Sequence, residues 1–457
     1  MKRIIFTLTA ALIFGWQGMS FADTAVDSLI QKLKDKGILT DQDAAQLKGQ
    51  IASEQQTSQA AQTTAFKSLL PDWVNGLKIG GDFRLRDQLQ VRKVKGGTAS
   101  GDNLDQNRVR LRARLNFEDQ INDKVKVGIT LATEGGKDAN GSSSTFGNNR
   151  SNNLTFGGNG GAGSGSFMKP YIALDKAYVT YTPNQDITLT GGKMANPIWE
   201  PASLLWDPDI TPEGGVIQLQ HRLNDYVTPF ANNAIYVLKD NTPSLSATST
   251  KTDPFMFISQ EGIKGNLTEK VYYKAAGSYY NVNNPNHFPL DNSLSATGNM
   301  MNANGTYNDN YNLLGGAVDF GINDPFGELL PSPINIPQIG VFGQYFKNVS
   351  PSHQNAAWMM GAYMGNSAIN GWGTWKLQSF YKVLERNSWL DCFPDDDFYS
   401  GYTDTKGWRS QMDIGLAKNV WFTVSYFRTN VFKYYGTGAF SKSAPENLFQ
   451  MDLNFKF

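Results

Sequence analysis

The sequence predicts an all-β transmembrane barrel of about sixteen antiparallel strands, with a small N-terminal helical hairpin ahead of it. Three observations carry this expectation. The chain opens on a secretory signal: Met1, Lys2 and Arg3 are followed by an apolar run from Ile4 to Phe14, and Ser20-Phe21-Ala22 fits a small-x-small cleavage site. No later run reaches the roughly 18 apolar residues that a membrane helix needs. The last strand alternates, with Phe449, Met451, Leu453, Phe455 and Phe457 on one face and Gln450, Asp452, Asn454 and Lys456 on the other. A strand that is oily outside, polar inside and aromatic at its end suits the closing seam of a barrel in a bacterial outer membrane.

Residues 1–22 are therefore read as the signal peptide, and 23–70 as a periplasmic hairpin and linker. Val26, Leu29, Ile30 and Leu33 fall at helical spacing, and Lys36-Gly37 breaks the run. Thr40 can cap a second helix carrying Ala44, Leu47 and Ile51. Gln, Ser, Thr and Ala then dominate to about Lys67, as in a linker.

From Pro71 to Phe457 the pattern is strands. Candidates lie near 76–90, 106–119, 124–134, 170–182, 186–193, 214–221, 227–239 and 254–265. The second half adds 269–281, 309–320, 334–347, 355–366, 373–385, 407–417, 420–430 and 447–457. Most approach or exceed the nine to eleven residues that cross at a tilt. Short connections such as Gln120–Asp123, Pro183–Gln185, Leu223–Asp225 and Lys418-Asn419 alternate with long ones such as 135–169, 194–213 and 386–406. Turns on one rim and loops on the other are what a barrel requires. Two connections fit less well: 321–333 is long for a turn, and 348–354 is short for a loop.

Composition agrees. The chain has 45 Gly, 27 Phe, 19 Tyr and 10 Trp but only 18% charged residues, which suits strands and interfacial girdles. Lys plus Arg equals Asp plus Glu at 41 each, so no global charge points to nucleic acid. Cys392 stands alone, which excludes a disulfide framework within one chain.

The densest chemistry is NRVRLRARLNFE. Arg108, Arg110, Arg112 and Arg114 share one strand face, and Val109, Leu111, Ala113 and Leu115 the other. The strand before it adds Arg84 and Arg86 opposite Phe83 and Leu85. A basic residue facing mid-bilayer lipid costs about 2–4 kcal/mol. Four of them would consume the stability of an ordinary domain. These arginines are expected to face the lumen as a positive stripe on one wall.

Residues 193–215 form the second constellation. Pro197, Pro201, Pro208 and Pro212 stiffen the backbone, and Trp199 and Trp206 need something to pack on. Folded into the lumen, this loop can set Glu200, Asp207, Asp209 and Glu213 across from the arginines. Fixed opposite charges across a narrow pore select permeants by charge and dipole.

Catalytic patterns are lacking. His221, His287 and His353 are far apart in the chain, and neither HExxH nor GxSxG occurs. Gly158, Gly160 and Gly163 have nucleotide-loop spacing but sit in a low-complexity loop without the strand and helix that the motif needs. Asp391, Asp395, Asp396 and Asp397 read as a solvated outer loop open to trypsin, with divalent-cation binding as the alternative. No cofactor and no enzymatic activity are expected.

Several of these segments together resemble the putative outer-membrane porins of Gram-negative bacteria, over about residues 71–457. The resemblance rests on LKIGGDFRLRDQ, NRVRLRARLNFE, ALDKAYVTYTPNQDITLTGGKMANP, LLWDPDITPEGG and the terminal phenylalanine. It implies a sixteen-stranded barrel in outer-membrane lipid, passive diffusion of small solutes, and a homotrimer. It also implies a constriction that pairs a basic wall (Arg84, Arg86, Arg108, Arg110, Arg112, Arg114) with an acidic third loop (Glu200, Asp207, Asp209, Glu213). Phe457 would be recognised by the barrel-assembly machinery. The N-terminal hairpin is foreign to general porins, and residues 25–56 are expected to self-associate or touch peptidoglycan. Two alternatives stand beside this reading: a channel specific for sugars, carboxylates or phosphate, and a structural anchor or adhesin.

Overall fold

The computed structural model describes residues 76–93, 104–133, 151–157, 172–240, 253–285, 298–300, 306–329, 336–351, 353–433 and 443–457, together with Gln42 and Gln46. Those two glutamines are helical and exposed. The rest of the expected hairpin, the signal peptide and the linker lie outside the described residues.

Within the unit Gly76–Phe457 the chain is built from strands. They are β1 (Lys78–Arg92), β2 (Leu104–Asn122), β3 (Val125–Thr133), β4 (Leu154–Thr155), β5 (Ile172–Asn184) and β6 (Ile187–Lys193). Next come β7 (Glu213–Gln220), β8 (Thr228–Val237), β9 (Phe255–Asn266), β10 (Val271–Asn283), β11 (Tyr311–Asn323) and β12 (Gln338–Asn348). The last five are β13 (Ala356–Gly365), β14 (Trp375–Leu384), β15 (Thr405–Ala417), β16 (Val420–Val431) and β17 (Glu446–Lys456). Each wall strand pairs antiparallel with the next, and β17 returns to pair with β1. Sixteen strands thus close into a barrel, at the expected places and within a few residues of the expected ends.

The two-residue β4 is an addition. It comes from the glycine-rich 135–169 region and pairs with the upper part of β2, where Arg110 faces Thr155 and Leu111 faces Leu154. This patches the wall where β3, ending at Thr133, is too short to accompany β2.

The seam shows why the terminal strand alternates. Leu85 sits opposite Leu453 and Phe83 opposite Phe455, with the two rings 5.9 Å apart. Gly81 exchanges backbone hydrogen bonds with Phe457 at 2.9 and 3.0 Å. A Cβ on Gly81 would lie 2.7 Å from the Phe457 ring and 2.3 Å from the Arg114 carbonyl oxygen, so only glycine fits there.

The two wall faces separate as a lipid-embedded barrel demands. Val109, Ile129, Val179, Ile235, Val318, Val341, Met360, Ile414 and Tyr426 are exposed on the outside. Arg86, Gln88, Gln90, Arg110, Gln450 and Asp452 are buried within.

The inside is not polar all round, however. From β9 to β14 the inward side chains include Met256, Ile258, Tyr280, Phe342, Phe346, Met359 and Phe380, all buried in one cluster. Leu204, Leu205 and Trp206 from the β6–β7 loop, and Trp389 and Leu390 from the β14–β15 loop, complete that cluster. Both loops fold into the barrel because the oily half of the inner wall needs a cover.

Candidate functional site

The arginines lie on neighbouring strands in register. Across β1 and β2, Arg84 faces Arg112, Arg86 faces Arg110, Gln88 faces Arg108 and Asp82 faces Arg114. Like charges this close need partners, and the neighbouring elements supply some. Arg86 donates to both oxygens of Asp452 at 2.7 and 2.9 Å, and to Asp397 at 2.9 Å. Asp82 accepts from Arg112 at 3.1 Å and from Arg114 at 2.7 Å. The other arginines rest mainly on amides. Arg108 donates to Gln90 at 2.9 Å, Arg110 to Gln88 at 3.2 Å and Arg84 to Asn153, with Asp452 lying 3.9 Å from Arg84. The Nε groups of Arg84, Arg108, Arg110 and Arg112 have no partner among the described residues.

The β6–β7 loop crosses the lumen. The Trp199 N–H donates to the Gln260 side-chain oxygen at 2.9 Å, and the Gln260 amide donates back to the Trp199 carbonyl at 2.9 Å. Lys382 of β14 donates to the Ser203 carbonyl at 3.0 Å, and the Trp389 indole to the Leu205 carbonyl at 2.8 Å. Trp206 packs on Trp389 and Phe393, with centroids 5.6 and 4.9 Å away.

The four expected acids part company along this path. Asp209 reaches the arginine wall, 3.3 Å from Arg112. Asp207 turns to the β14–β15 loop, accepting the Asp396 N–H at 3.1 Å. Glu200 is enclosed, accepting from Gln344 at 3.0 Å and from the Leu205 N–H at 3.3 Å. Glu213 stands apart: it opens β7 opposite Lys193, 2.9 Å from its ammonium, with its side chain 65% exposed.

The β14–β15 loop is the site's unexpected member. Expected as a solvated outer loop, it instead packs much of its length inside, with Asp396 left exposed. Asp391 is buried and accepts from the Tyr307 hydroxyl at 2.9 Å. Asp395 is buried 3.6 Å from Arg409, and Asp397 meets Arg86. Its aromatic residues explain the correction: Trp389, Phe398 and Tyr399 are buried, and hydrophobic cover outweighs solvation of the neighbouring acids. Asp207, Asp395 and Asp396 present carboxylate oxygens within 4.8 Å of one another, so this is where a cation would sit if one binds.

Comparison with known families decides the assignment. A family model described as putative porin matches residues 97–315 and 338–457. The chain belongs to the putative porin family.

Among solved structures, a mutant of the Rhodopseudomonas blastica porin is 10% identical, covering 83% of this chain and all of its own, at a TM-score of 0.41. OprB of Pseudomonas putida is 8% identical, covering 84% of this chain and 95% of its own, at a TM-score of 0.48. No curated protein matches.

The electrostatics of this porin's two loops follow from burial and neighbours. Burial pushes the Glu200 carboxyl up to about 7, although the hydrogen bonds from Gln344 and the backbone oppose it. Burial, with Asp396 and Asp395 close by, raises Asp207 well above the carboxylate range. Burial works against the charge on Asp397 too, but Arg86 and Arg110 outweigh it and hold its pKa down.

The Arg86–Asp452 contact is the tightest link between the stripe and the seam. Replacing Asp452 with Asn leaves buried Arg86 with only Asp397. Disrupting such a pair is expected to cost about 3 kcal/mol. The temperature at which the folded barrel loses its compact migration on a gel should fall accordingly.

The sequence by itself gives Asp82, Asp397 and Asp452 no place beside the arginine stripe. Asp452 did carry a signal, because it alternates with the outward Met451 and Leu453 in the strand that closes the seam.

Proposed function

We propose that this porin passes small hydrophilic solutes and ions by passive diffusion, through a lumen narrowed between the arginine wall and two inward loops. The observation that carries the reading is the contact of both loops with one wall: Asp209 with Arg112, and Asp397 with Arg86. Asp207 belongs to the interface between the loops, while Glu200 buttresses the first of them. Glu213 is left out of the constriction. The wall's six arginines outnumber the carboxylates bonded to them, Asp82, Asp209, Asp397 and Asp452, so small anions are modestly favoured. In the same reading, residues 25–56 lie in the periplasm, where they self-associate or touch peptidoglycan. Phe457 serves the barrel-assembly machinery.

The test is a planar bilayer under a salt gradient. The zero-current potential should favour anions at low salt and fade toward 1 M, where the screening length drops from about 8 to about 3 Å. Cation preference at low salt would refute the charge assignment, and absence of conductance would refute the channel.

A solute-specific channel is the second reading. A lumen-side cleft favours it, lined by Asn196, Trp199, Gln218, Asn232, Lys264 and Lys274. The Lys274 ammonium lies 4.4 Å from the centre of the Trp199 ring. Competition of the conductance by one sugar or carboxylate, but not others, would favour that reading.

A further inference from the structure

The lumen-side cleft beside the β6–β7 loop carries uncompensated positive charge. Met256, Ile258 and Gln260 on β9 are buried inside the barrel, and Lys264 shares their face. On β10, Lys274 shares the face of buried Ala276, Ser278 and Tyr280. The two lysines stand directly opposite one another in the β9–β10 register. Side chains so placed have Cβ atoms about 5 Å apart, and like charges there are destabilising.

No carboxylate relieves them: among the described residues neither lysine forms an ion pair. The Lys264 ammonium donates to Gln220 at 2.6 Å. The Lys274 ammonium lies over two rings, 4.4 Å from the centre of Trp199 and 5.0 Å from that of Phe230. Asp319 faces Lys274 from β11, but it accepts the Tyr363 hydroxyl at 2.8 Å instead. Glu200 reaches the cleft lining, yet it is bonded to Gln344 and the Leu205 N–H. Two facing ammonium groups without a carboxylate make half of a charge-assisted anion site.

The rest of the cleft is polar. Its volume is about 420 Å³, within the usual range for a small-molecule site. The Gln218 amide donates to Asn232 at 3.2 Å, and the Asn232 amide to Gln260 at 3.0 Å. Gln260 in turn clamps the backbone of Trp199. This ladder leaves the Gln218 side-chain oxygen, and one N–H on each of Gln218 and Asn232, without a partner among the described residues. Hydroxyl groups, which both donate and accept, match such an edge.

We propose that this cleft is a subsite for a small hydroxylated carboxylate of the sugar-acid type. The carboxylate settles between Lys264 and Lys274, and the hydroxyls meet Gln218 and Asn232. One face of Trp199 is already covered by the Lys274 ammonium, so a neutral sugar finds no free ring to stack on at that side. The inference rests on the solute-specific reading and names its solute class.

Gluconate and glucose are the probes, since both carry a row of hydroxyls and only gluconate carries a carboxylate. Titration calorimetry on the detergent-folded barrel and single-channel chloride current are read in parallel. Gluconate should bind and reduce the current saturably, whereas glucose should do neither. Lys274→Gln should raise the gluconate dissociation constant about tenfold, the loss expected of one ionic contact between water-like and protein-like screening. Lys264→Gln should act in the same direction. Lys193→Gln, an equal change of charge at a lysine paired with Glu213 off the cleft lining, should leave the constant unchanged. Heat-modifiable migration confirms that each variant is folded. Glucose binding as tightly as gluconate, no binding of gluconate, or equal weakening by Lys274→Gln and Lys193→Gln would each overturn the proposal. A barrel that binds gluconate but conducts nothing would overturn the channel reading and leave the subsite standing.

Discussion

Excising residues 387–402 and joining the ends with a short Gly-Ser link should raise single-channel conductance several-fold. That segment brings Trp389, Leu390, Phe393 and Asp397 into the lumen and gives Trp206 two of its aromatic partners. Without it, the β6–β7 loop loses the Trp389 indole bond to Leu205 and the Asp396 bond to Asp207. Both obstructions therefore loosen together. The excision also bares Tyr280 and Phe346 on the inner wall, and losing a buried Trp alone typically costs about 3–5 kcal/mol. The variant should therefore unfold at a lower temperature while still migrating as a folded barrel. Unchanged conductance from a folded variant would mean that the loops lie off the ion path.

Exchanging Arg108 and Arg110 for Ser should shift the zero-current potential toward cations at low salt. These two guanidinium groups hydrogen-bond to Gln90 and Gln88, and the carboxylate near them, Asp397, is already bonded to Arg86, so removing them takes away positive charge that a passing ion feels. An ion within 4 Å of one charge in water-like surroundings gains about 1 kcal/mol, a several-fold change in partition. Asp209→Asn should move the potential the other way, because it removes one negative charge and leaves Arg112 with Asp82 alone. Glu213→Gln should leave it unchanged, because Glu213 is spent on Lys193 at the outer edge of β7.

The wall was legible because strand period is strict. A lipid-facing strand cannot shift by one residue without turning charge into the bilayer, so the alternation around Arg108–Arg114 and Phe449–Phe457 shows in the residues themselves. Turn sites were legible to within a few residues, as with Lys418-Asn419 between β15 and β16. The lumen was less so. Phe255, Met256, Phe257 and Ile258 are apolar on both faces, and Met256 and Ile258 are fully buried inside the barrel. That run was the sign that something must cover the inner wall. The cover came from two loops, and the second was hidden by its own acids: Asp395–Asp397 suggested water, while Trp389, Phe393, Phe398 and Tyr399 in the same segment favoured burial. Asp452 lay in an inward-facing set, but its meeting with Arg86 depends on the register across the seam. No single strand encodes that register.

Side-by-side cysteines on β2 test most directly that the arginine face lines the conducting path. Arg110→Cys and Val109→Cys are neighbours in sequence, and the structure assigns Arg110 to the inside and Val109 to the exposed outside. Single channels of each variant are recorded while a small charged thiol reagent is added. Stepwise falls in conductance with Arg110→Cys, and none with Val109→Cys, are expected. Steps with Val109→Cys but not Arg110→Cys, or with neither in an open channel, would contradict the lumen assignment.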